Sequence, residues 1–192
     1  MYKYKFLILL ILFSVSNNLF AQDKFEKESR IKPKDVPSRA LLFIDSLNPK
    51  TKVKWYKEEG LDKESIEAKF KLNKVMCSVE FDTLGKIEDV EIEVNWEDLE
   101  SHLKDSIFFQ LKLDCSSHKI VKVQRQFTGS ENDLLFLLKT RNVFEHLKIK
   151  YEIIIRCEHQ NKVDLFEYLF NYNGKLISKS KIVFKNSSHL EY

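Results

Sequence analysis

The feature that most constrains the fold of this chain is a hairpin pattern that occurs twice. The first copy runs from Val79 to Val94, VEFDTLGKIEDVEIEV, and the second from Glu167 to Phe184, EYLFNYNGKLISKSKIVF. In both, alternating apolar and polar residues lead into a short turn with a glycine, Gly85 or Gly174, and the alternation then resumes. A period of two is typical of half-buried strands. The pattern therefore predicts two antiparallel hairpins about half a chain apart.

A further alternating strand precedes each hairpin. Residues 66–72 lead through the two-residue turn Asn73-Lys74 into residues 75–81, which predicts a register with Ile66 opposite Phe81. Every apolar residue then meets an apolar partner on one face, and a slip of one residue would turn that face to water. Residues 151–155 and 166–170 repeat the arrangement. A bulge is expected near Glu88-Asp89 in the strand that follows the first hairpin turn.

Helical spacing of apolar residues appears before each set of strands. One stripe contains Ala40, Leu41, Ile44 and Leu47, and the other contains Leu99, Leu103, Ile107 and Leu111. The predicted fold is therefore α+β: a tandem repeat of helix plus four-stranded antiparallel meander, with about eight strands in one sheet and two main helices on one face. The repeats are predicted at 35–95 and 96–184. A segment inserted near 129–142 is expected to form an extra short helix, either plugging one end of the core or serving in binding.

The N-terminus has the order of a secretory signal peptide. Two lysines precede an apolar run from Phe6 to Val15, and the small Ala21 follows, so we predict a signal at 1–21 with cleavage after Ala21. An uncleaved anchor is the alternative. We expect a flexible leader at 22–34, a C-terminal tail at 185–192, and no stable membrane span after cleavage. Periplasmic or secreted localisation follows.

Charge and cysteine content narrow the class of partner. The chain has a net charge of +3, and two of its lysines lie in the signal, so the remainder is nearly neutral. No basic patch indicates a nucleic-acid partner. Of the three cysteines, Cys77 and Cys157 alternate with core residues, which favours buried free thiols; a Cys77–Cys157 bridge is the alternative.

These features resemble the PepSY-like, β-lactamase-inhibitor-like domains of bacterial exported proteins. The resemblance covers most of 31–184 and rests on Asn48-Pro49, on Lys52-Val53-Lys54-Trp55, on the Ile66–Phe70 strand and on Phe81-Asp-Thr-Leu-Gly85-Lys86, with the last two matched again in the second repeat. No tryptophan stands at the second-repeat position of Trp55. The resemblance implies a tandem repeat of helix and four-stranded sheet, no catalytic residues, and binding across a curved sheet.

The residues themselves carry no motif for chemistry. The five histidines show no metal-ligand spacing, and no nucleophile or phosphate-loop motif occurs, so we expect no catalytic, cofactor or metal residues. Glu91 and Glu93 alternate with Ile92 and Val94, which indicates the solvated face of a strand rather than a catalytic pair.

We therefore expect an exported, non-enzymatic binding module for an unknown envelope protein or peptide. The predicted binding face is an apolar stripe rimmed by charge on the outward side of the second-repeat hairpin, namely Ile154, Arg156, Val163, Leu165, Glu167 and Leu169. Two alternatives remain. One is an envelope carrier of a small apolar ligand with 134–144 as a lid, and the other is a hydrolase whose polar cluster is hidden from sequence spacing. The segment 134–144 is also the alternative cover for the stripe.

Overall fold

The chain forms an α+β structure built on one ten-stranded sheet. The computed structural model describes residues 22–24, 27–60, 63–159 and 162–182. The spatial order of the strands is β1-β10-β9-β8-β7-β6-β5-β4-β3-β2. Nine strands pair antiparallel, and the short β1 adds to β10 in parallel. The strands are β1 Gln22–Lys24, β2 Lys27–Ile31, β3 Lys54–Glu59, β4 Glu64–Leu72, β5 Val75–Phe81, β6 Ile87–Glu93, β7 Ser117–Thr128, β8 Lys148–His159, β9 Lys162–Asn171 and β10 Leu176–Ile182.

Within the described residues, three α-helices accompany the sheet: α1 Ser38–Ser46, α2 Ser101–Asp114 and α3 Glu131–Thr140. Short 3-10 turns at Pro33–Asp35 and Trp96–Asp98 precede α1 and α2. The Ser130 hydroxyl accepts a hydrogen bond from the Asp133 N–H and caps α3. The extra helix expected at 129–142 is therefore confirmed.

The predicted strand register is confirmed in the first hairpin. Ile66 pairs with Phe81 and Leu72 pairs with Val75. Asn73 and Lys74 have φ of 53° and 71°, which is the geometry of a two-residue hairpin turn. The expected bulge is also present, because Asp89 pairs with Glu80 while Ile87 pairs with Phe81, which leaves Glu88 as the additional residue.

The two glycine turns have the same hydrogen bonds. In the first, the Asp82 carboxylate accepts from the N–H groups of Leu84 and Lys86 at 2.9 and 2.8 Å. In the second, the Asn171 side chain accepts from the N–H groups of Asn173 and Lys175 at 3.0 and 2.9 Å. Gly85 and Gly174, at the same place in each turn, have φ of 81° and 77°.

One face of the sheet carries the hydrophobic core, and we call it the core face. Its first cluster joins Ala40, Phe43 and Ile44 of α1 to residues of β3 to β7, including Phe70 and Phe81. A second cluster joins α2 to residues of β7 to β9, including Ile107, Tyr151, Tyr168 and Phe170. Alternation along each strand places these side chains together and leaves the intervening residues on the opposite face.

The inserted helix α3 belongs to the first core cluster. Its side chains of Leu134, Leu137 and Leu138 are buried there with Val90 and Phe127. The expectation that 134–144 forms a lid, or covers the apolar stripe on the opposite face, is therefore wrong. The reason is that the apolar side of this short helix completes the core instead of closing over the outer surface.

The predicted flexible leader at 22–34 instead contains strands β1 and β2. Sequence patterning missed β2 because its residues are polar except for Ile31, so no apolar alternation marks it. Lys27 lies 3.0 Å from Glu59 on the neighbouring β3, and Glu28 lies 3.3 Å from Lys69 on β4, one strand further. Cross-strand pairs of opposite charge stabilise a sheet as apolar pairs do, although each contributes little.

The sheet is strongly curved, so that its two edge strands lie close to one another. β1 and β2 lie on opposite edges, yet Lys24 and Lys27 are three residues apart, so their Cα atoms lie within about 11 Å. On the face opposite the core, Ser65, Glu67 and Ser78 are buried although no helix packs there among the described contacts. The sheet therefore curves toward that face, which is concave.

The cysteine pairing differs from both expectations. Cys115 and Cys157 form a disulfide with a Cα–Cα distance of 5.6 Å, and Cys77 is free and buried. Cys157 is therefore not a free thiol, and its partner is not Cys77. No sequence pattern indicated a role for Cys115, because it directly follows the end of α2 and has no strand periodicity around it.

Several predictions concern other parts of the chain. The signal peptide at 1–21 and the tail at 185–192 lie outside the described residues. Within the described ranges, none of the helices combines the length and the apolarity needed to cross a bilayer.

Candidate binding face

The face opposite the core, here called the open face, divides into a polar part and an apolar part. The polar part covers β2 to β7, and its buried members are Ser65, Glu67, Ser78 and Gln124. The apolar part covers β8 to β10. Between them lies Glu152 on β8, which is 8% exposed.

A compact network around Lys69 fills the polar part near β2 to β5. Its Nζ lies 2.8 Å from Glu67 Oε2 and 3.3 Å from Glu28, and 5.0 Å from the centre of the Tyr56 ring. The Ser78 hydroxyl donates to Glu67. Burial lowers the pKa of Lys69, but attraction to Glu67 and Glu28 outweighs it, so this pKa lies above its ordinary value. Lys69 therefore stays positively charged in the sheet.

This network also contains a candidate cation site. Glu28, Glu58 and Glu67 each offer a carboxylate oxygen within 4.8 Å of the others, a spacing that would suit a metal ion. The ammonium group of Lys69 already contacts two of the three. The chain thus supplies its own cation here, and the arrangement is a structural ion pair network.

A second group of carboxylates, which we call the acid centre, lies in the middle of the open face. It consists of Glu80, Asp89, Glu91, Gln124 and Glu152 on the adjacent strands β5 to β8. Gln124 Nε2 donates to Glu91 Oε2 at 2.9 Å, and Gln124 pairs across the strands with Glu152. Gln126 lies two residues after Gln124 on the same face of β7, and its Nε2 donates to Asp89 Oδ2 at 3.3 Å.

Burial and mutual repulsion keep protons on the acid centre. Burial raises the pKa of Asp89 to about 8, and repulsion from Glu80 adds to this rise. Burial also raises the pKa of Glu91 well above its ordinary value, with further contributions from Glu152 and Asp89. These are the conditions under which like charges cannot all ionise together.

The expectation for Glu91 is corrected by this geometry. Glu93 is exposed, as a solvated strand face predicts, but Glu91 is not. Alternation along a strand assigns a residue to a face, but it does not reveal that the face is concave. The polar residues Glu67 and Ser78, which alternate with core residues of β4 and β5, are buried for the same reason.

The predicted apolar stripe lies on the open face. Ile154 pairs with Glu167, Arg156 with Leu165, and Glu152 with Leu169, so the predicted residues occupy adjacent rows of β8 and β9. Ile182 of β10 extends the stripe beside Leu165. Ile154, Leu165, Glu167 and Leu169 are half-buried, while Arg156 and Val163 are exposed. The structure therefore brings the six residues together; their role in binding remains a prediction.

One grouping of serine, aspartate and histidine occurs at the start of α3. The Ser130 hydroxyl donates to Asp133, and His146 Nε2 lies 3.0 Å from the same carboxylate. A catalytic triad places histidine between nucleophile and acid, whereas here the acid lies between the other two. The pKa of Asp133 is lowered by the Ser130 hydrogen bond and then by His146, as in a capped helix end.

Two open clefts elsewhere bear on the carrier alternative. One of about 540 Å³ lies between α2 and the second glycine turn, and includes Asp105, Gln110 and Lys175. The other, of about 510 Å³, includes Trp96, Phe108, His118 and charged residues of β6 and β7. Sites for apolar ligands are enclosed and mostly apolar, and neither cleft has that lining.

Comparisons with known proteins found similarity at the level of structure. No family model matches the chain, and no curated protein matches it. Among crystal structures, a DUF2874 family protein from Bacteroides ovatus is 14% identical with a TM-score of 0.49, and covers 76% of this chain and 87% of its own.

Two other crystal structures are similar to a comparable extent. A protein from Bacteroides eggerthii that is provisionally described as periplasmic is 11% identical, with a TM-score of 0.49 and coverage of 76% and 88%. A BLIP-like protein from Bacteroides fragilis is 14% identical, with a TM-score of 0.46 and coverage of 80% of this chain and 92% of its own. None of these three proteins is PepSY-like by description.

Proposed function

We propose that this protein is an exported, non-enzymatic binding module that recognises a protein or peptide through its open face. The observation that carries the proposal is the position of the apolar stripe. Ile154 and Leu165 lie on a concave sheet face while the buried side chains of α1, α2 and α3 pack on the core face. Apolar side chains rimmed by charge, on a face without a covering helix, often mark an interaction site.

Export is part of the same proposal. The order of charged, apolar and small residues at 1–21 favours a cleaved signal, and the Cys115–Cys157 disulfide suits an oxidising compartment. We propose a periplasmic or secreted location with Gln22 as the first mature residue. Intact-mass measurement of exported material tests this, and a retained Met1 would contradict it.

We also infer that the chain is a tandem repeat of helix plus four-stranded meander, with its helices on one face. The matching hydrogen bonds of the Asp82 and Asn171 turns support this inference. In addition, each turn glycine packs against the helix that begins its half. An added Cβ on Gly85 would meet Ala40 N at 2.9 Å, and one on Gly174 would meet Ser106 Cβ at 2.8 Å.

The central experiment compares two double variants. Ile154→Lys with Leu165→Lys places charge in the stripe. Leu42→Lys with Leu84→Lys makes the same chemical change at residues that are 70% and 81% exposed outside the open face. Each protein is used as bait against its own envelope fraction, bound proteins are identified by mass spectrometry, and the melting temperature is recorded.

We expect the stripe variant to keep its melting temperature. We also expect it to fail to bind a protein that the wild type and the control variant both bind. A marked drop in melting temperature in the stripe variant would mean that the stripe is core. Equal retention by all three proteins would mean that another surface binds. Either result would overturn the proposed role of this face.

A further inference from the structure

The acid centre contains a buried amide oxygen that lacks a hydrogen-bond donor. Gln124 is 6% exposed, and its Oε1 has no hydrogen-bond partner among the described residues. The same amide group donates to Glu91 through Nε2, so its oxygen is held within the acid centre. The Asp89 carboxyl, by contrast, interacts with Glu80 and accepts from Gln126. Buried polar atoms in native proteins are nearly always paired, so each one that is not needs an explanation.

The chemistry of this oxygen indicates what is missing. An amide oxygen can only accept, and so the group absent at Gln124 Oε1 must donate a hydrogen bond. A positive group suits this position as well, because Glu91 and Glu152 lie next to Gln124 and the neighbouring strand pair carries Glu80 and Asp89. A cationic donor satisfies both requirements at once.

The spacing of the carboxylates distinguishes between kinds of cation. Within the ranges the structure describes, the carboxylates close enough to share one ion are Glu28, Glu58 and Glu67, where Lys69 already lies. The carboxylates of the acid centre do not form such a group. A guanidinium group is planar, carries five donors and spans several acceptors, so it fits a wider arrangement than a metal ion does.

We propose that the acid centre receives an arginine side chain from a partner segment whose neighbouring apolar side chains lie on the apolar stripe. This inference rests on the proposed function and specifies the partner's chemistry. Glu152 is the link between the two parts, because it pairs with Gln124 on one side and with Leu169 on the other. The acid centre and the apolar stripe are therefore adjacent parts of one surface on the open face.

The proposal also predicts how affinity changes with pH. A bound guanidinium favours ionised carboxylates, so binding releases protons and affinity rises as pH approaches 8. The groups that determine this behaviour are the acids of neighbouring strands and two lysines: Glu67 on β4, Glu80 on β5, Asp89 and Glu91 on β6, Lys122 on β7, Glu152 on β8, and Lys63 before β4.

The test uses the exported full-length protein and two fluorescent octapeptides. One alternates leucine with arginine, and the other alternates leucine with citrulline. Citrulline has nearly the shape of arginine but no charge. We expect the arginine peptide to bind wild type at least about tenfold more tightly, since hydrogen bonds to charged groups are the stronger ones. Glu91→Gln with Glu152→Gln should abolish that preference. Glu97→Gln with Glu145→Gln removes two exposed acids outside the open face and should preserve it.

Several results would overturn the inference. These are equal affinity for both peptides, equal loss of preference in the control variant, or no binding of the arginine peptide to wild type. A rise in melting temperature with millimolar Ca²⁺ or Mn²⁺ that is lost in Glu91→Gln with Glu152→Gln would assign the centre to a metal instead. The lysine variants of the stripe test the proposed function separately, so the failure of one proposal is distinguishable from failure of the other.

Discussion

The hairpins β5–β6 and β9–β10 have the same framework but different open faces. Both have a side-chain oxygen that closes the turn, a glycine with positive φ, and a bulge just after it, at Glu88 and at Ile177. On the open face, however, β5 and β6 carry Ser78, Glu80, Asp89 and Glu91, while β9 and β10 carry Leu165, Leu169 and Ile182. The core faces differ at the last strand, where β10 has Lys179 and Lys181 at the positions of the buried Val90 and Ile92 of β6, and the open faces, which folding does not require to be apolar, differ more widely.

This difference separates two kinds of constraint. Turn geometry and core packing fix the register, so a change there destabilises the fold. Residues on the open face contribute less to folding and are free to carry function. Substitutions in the framework should therefore affect stability in both hairpins, whereas substitutions on the open face should affect binding or pH response in only one.

The largest expected effect comes from the disulfide, which the β9 half has and the β5 half lacks. Cys115→Ser with Cys157→Ser opens a loop of 42 residues. We expect the free energy of unfolding to fall by about 4 kcal/mol, because the unfolded chain regains the entropy of that loop. Urea denaturation measures this. Cys77→Ala, a change at the free buried cysteine, is the control and should cost about 1 kcal/mol; equal losses would show that the bridge adds little.

The turn glycines should differ in how well they tolerate a methyl group. Gly85→Ala places Cβ at 2.9 Å from the backbone nitrogen of Ala40, which has little freedom to move. Gly174→Ala meets only side-chain atoms of Ser106 and Leu103. With the cost of positive φ added, we expect losses of roughly 2–3 kcal/mol for Gly85→Ala and roughly 1–2 for Gly174→Ala. The reverse order in urea denaturation would contradict the packing described here.

Because of Asp89 in the acid centre, we expect stability to depend on pH through the first hairpin and not through the second. Asp89 has a folded pKa of about 8 against an ordinary 3.8, so the folded state holds this proton more tightly and stability falls as pH rises between these values. Glu80, Glu152, Lys63 and Gln126 are the groups that face it.

The change Asp89→Asn removes this titration and keeps an acceptor for Gln126. We expect it to stabilise the protein by roughly 1–3 kcal/mol at pH 8 and to have little effect at pH 4. Thermal unfolding over this range is the measurement, with Glu93→Gln, an exposed residue of the same strand and face, as the control. A flat difference between wild type and Asp89→Asn across the range would contradict a raised pKa.

The smallest effect is expected when the two turn residues are exchanged. Asp82→Asn and Asn171→Asp each keep an oxygen that accepts from two backbone N–H groups. We expect each change to alter the unfolding free energy by less than about 0.5 kcal/mol, whereas Asp82→Ala and Asn171→Ala should each cost about 1 kcal/mol. A large effect of either exchange would show that the turns are less alike than their hydrogen bonds indicate.

Sequence patterning predicted the framework and missed the acid centre for related reasons. The register of Ile66 with Phe81 follows from alternation and turn length, which are local properties. The burial of Glu91 and Gln124 depends on curvature that is distributed over ten strands, and no local pattern records it. The Cys115–Cys157 bridge joins residues 42 positions apart, so it requires the packing of α2 on β8 to be known first.

The pairing of β1 with β10 has a consequence for the order in which the fold is completed. Gln22 pairs with Ser180 and Lys24 with Ile182, so the first described strand completes its hydrogen bonds only with the last one. A chain that is synthesised from its N-terminus must therefore hold β1 unpaired until nearly all other strands exist. Contacts between such distant positions form slowly because a long loop has to close. Addition of β1 to the sheet is expected as the final event of folding.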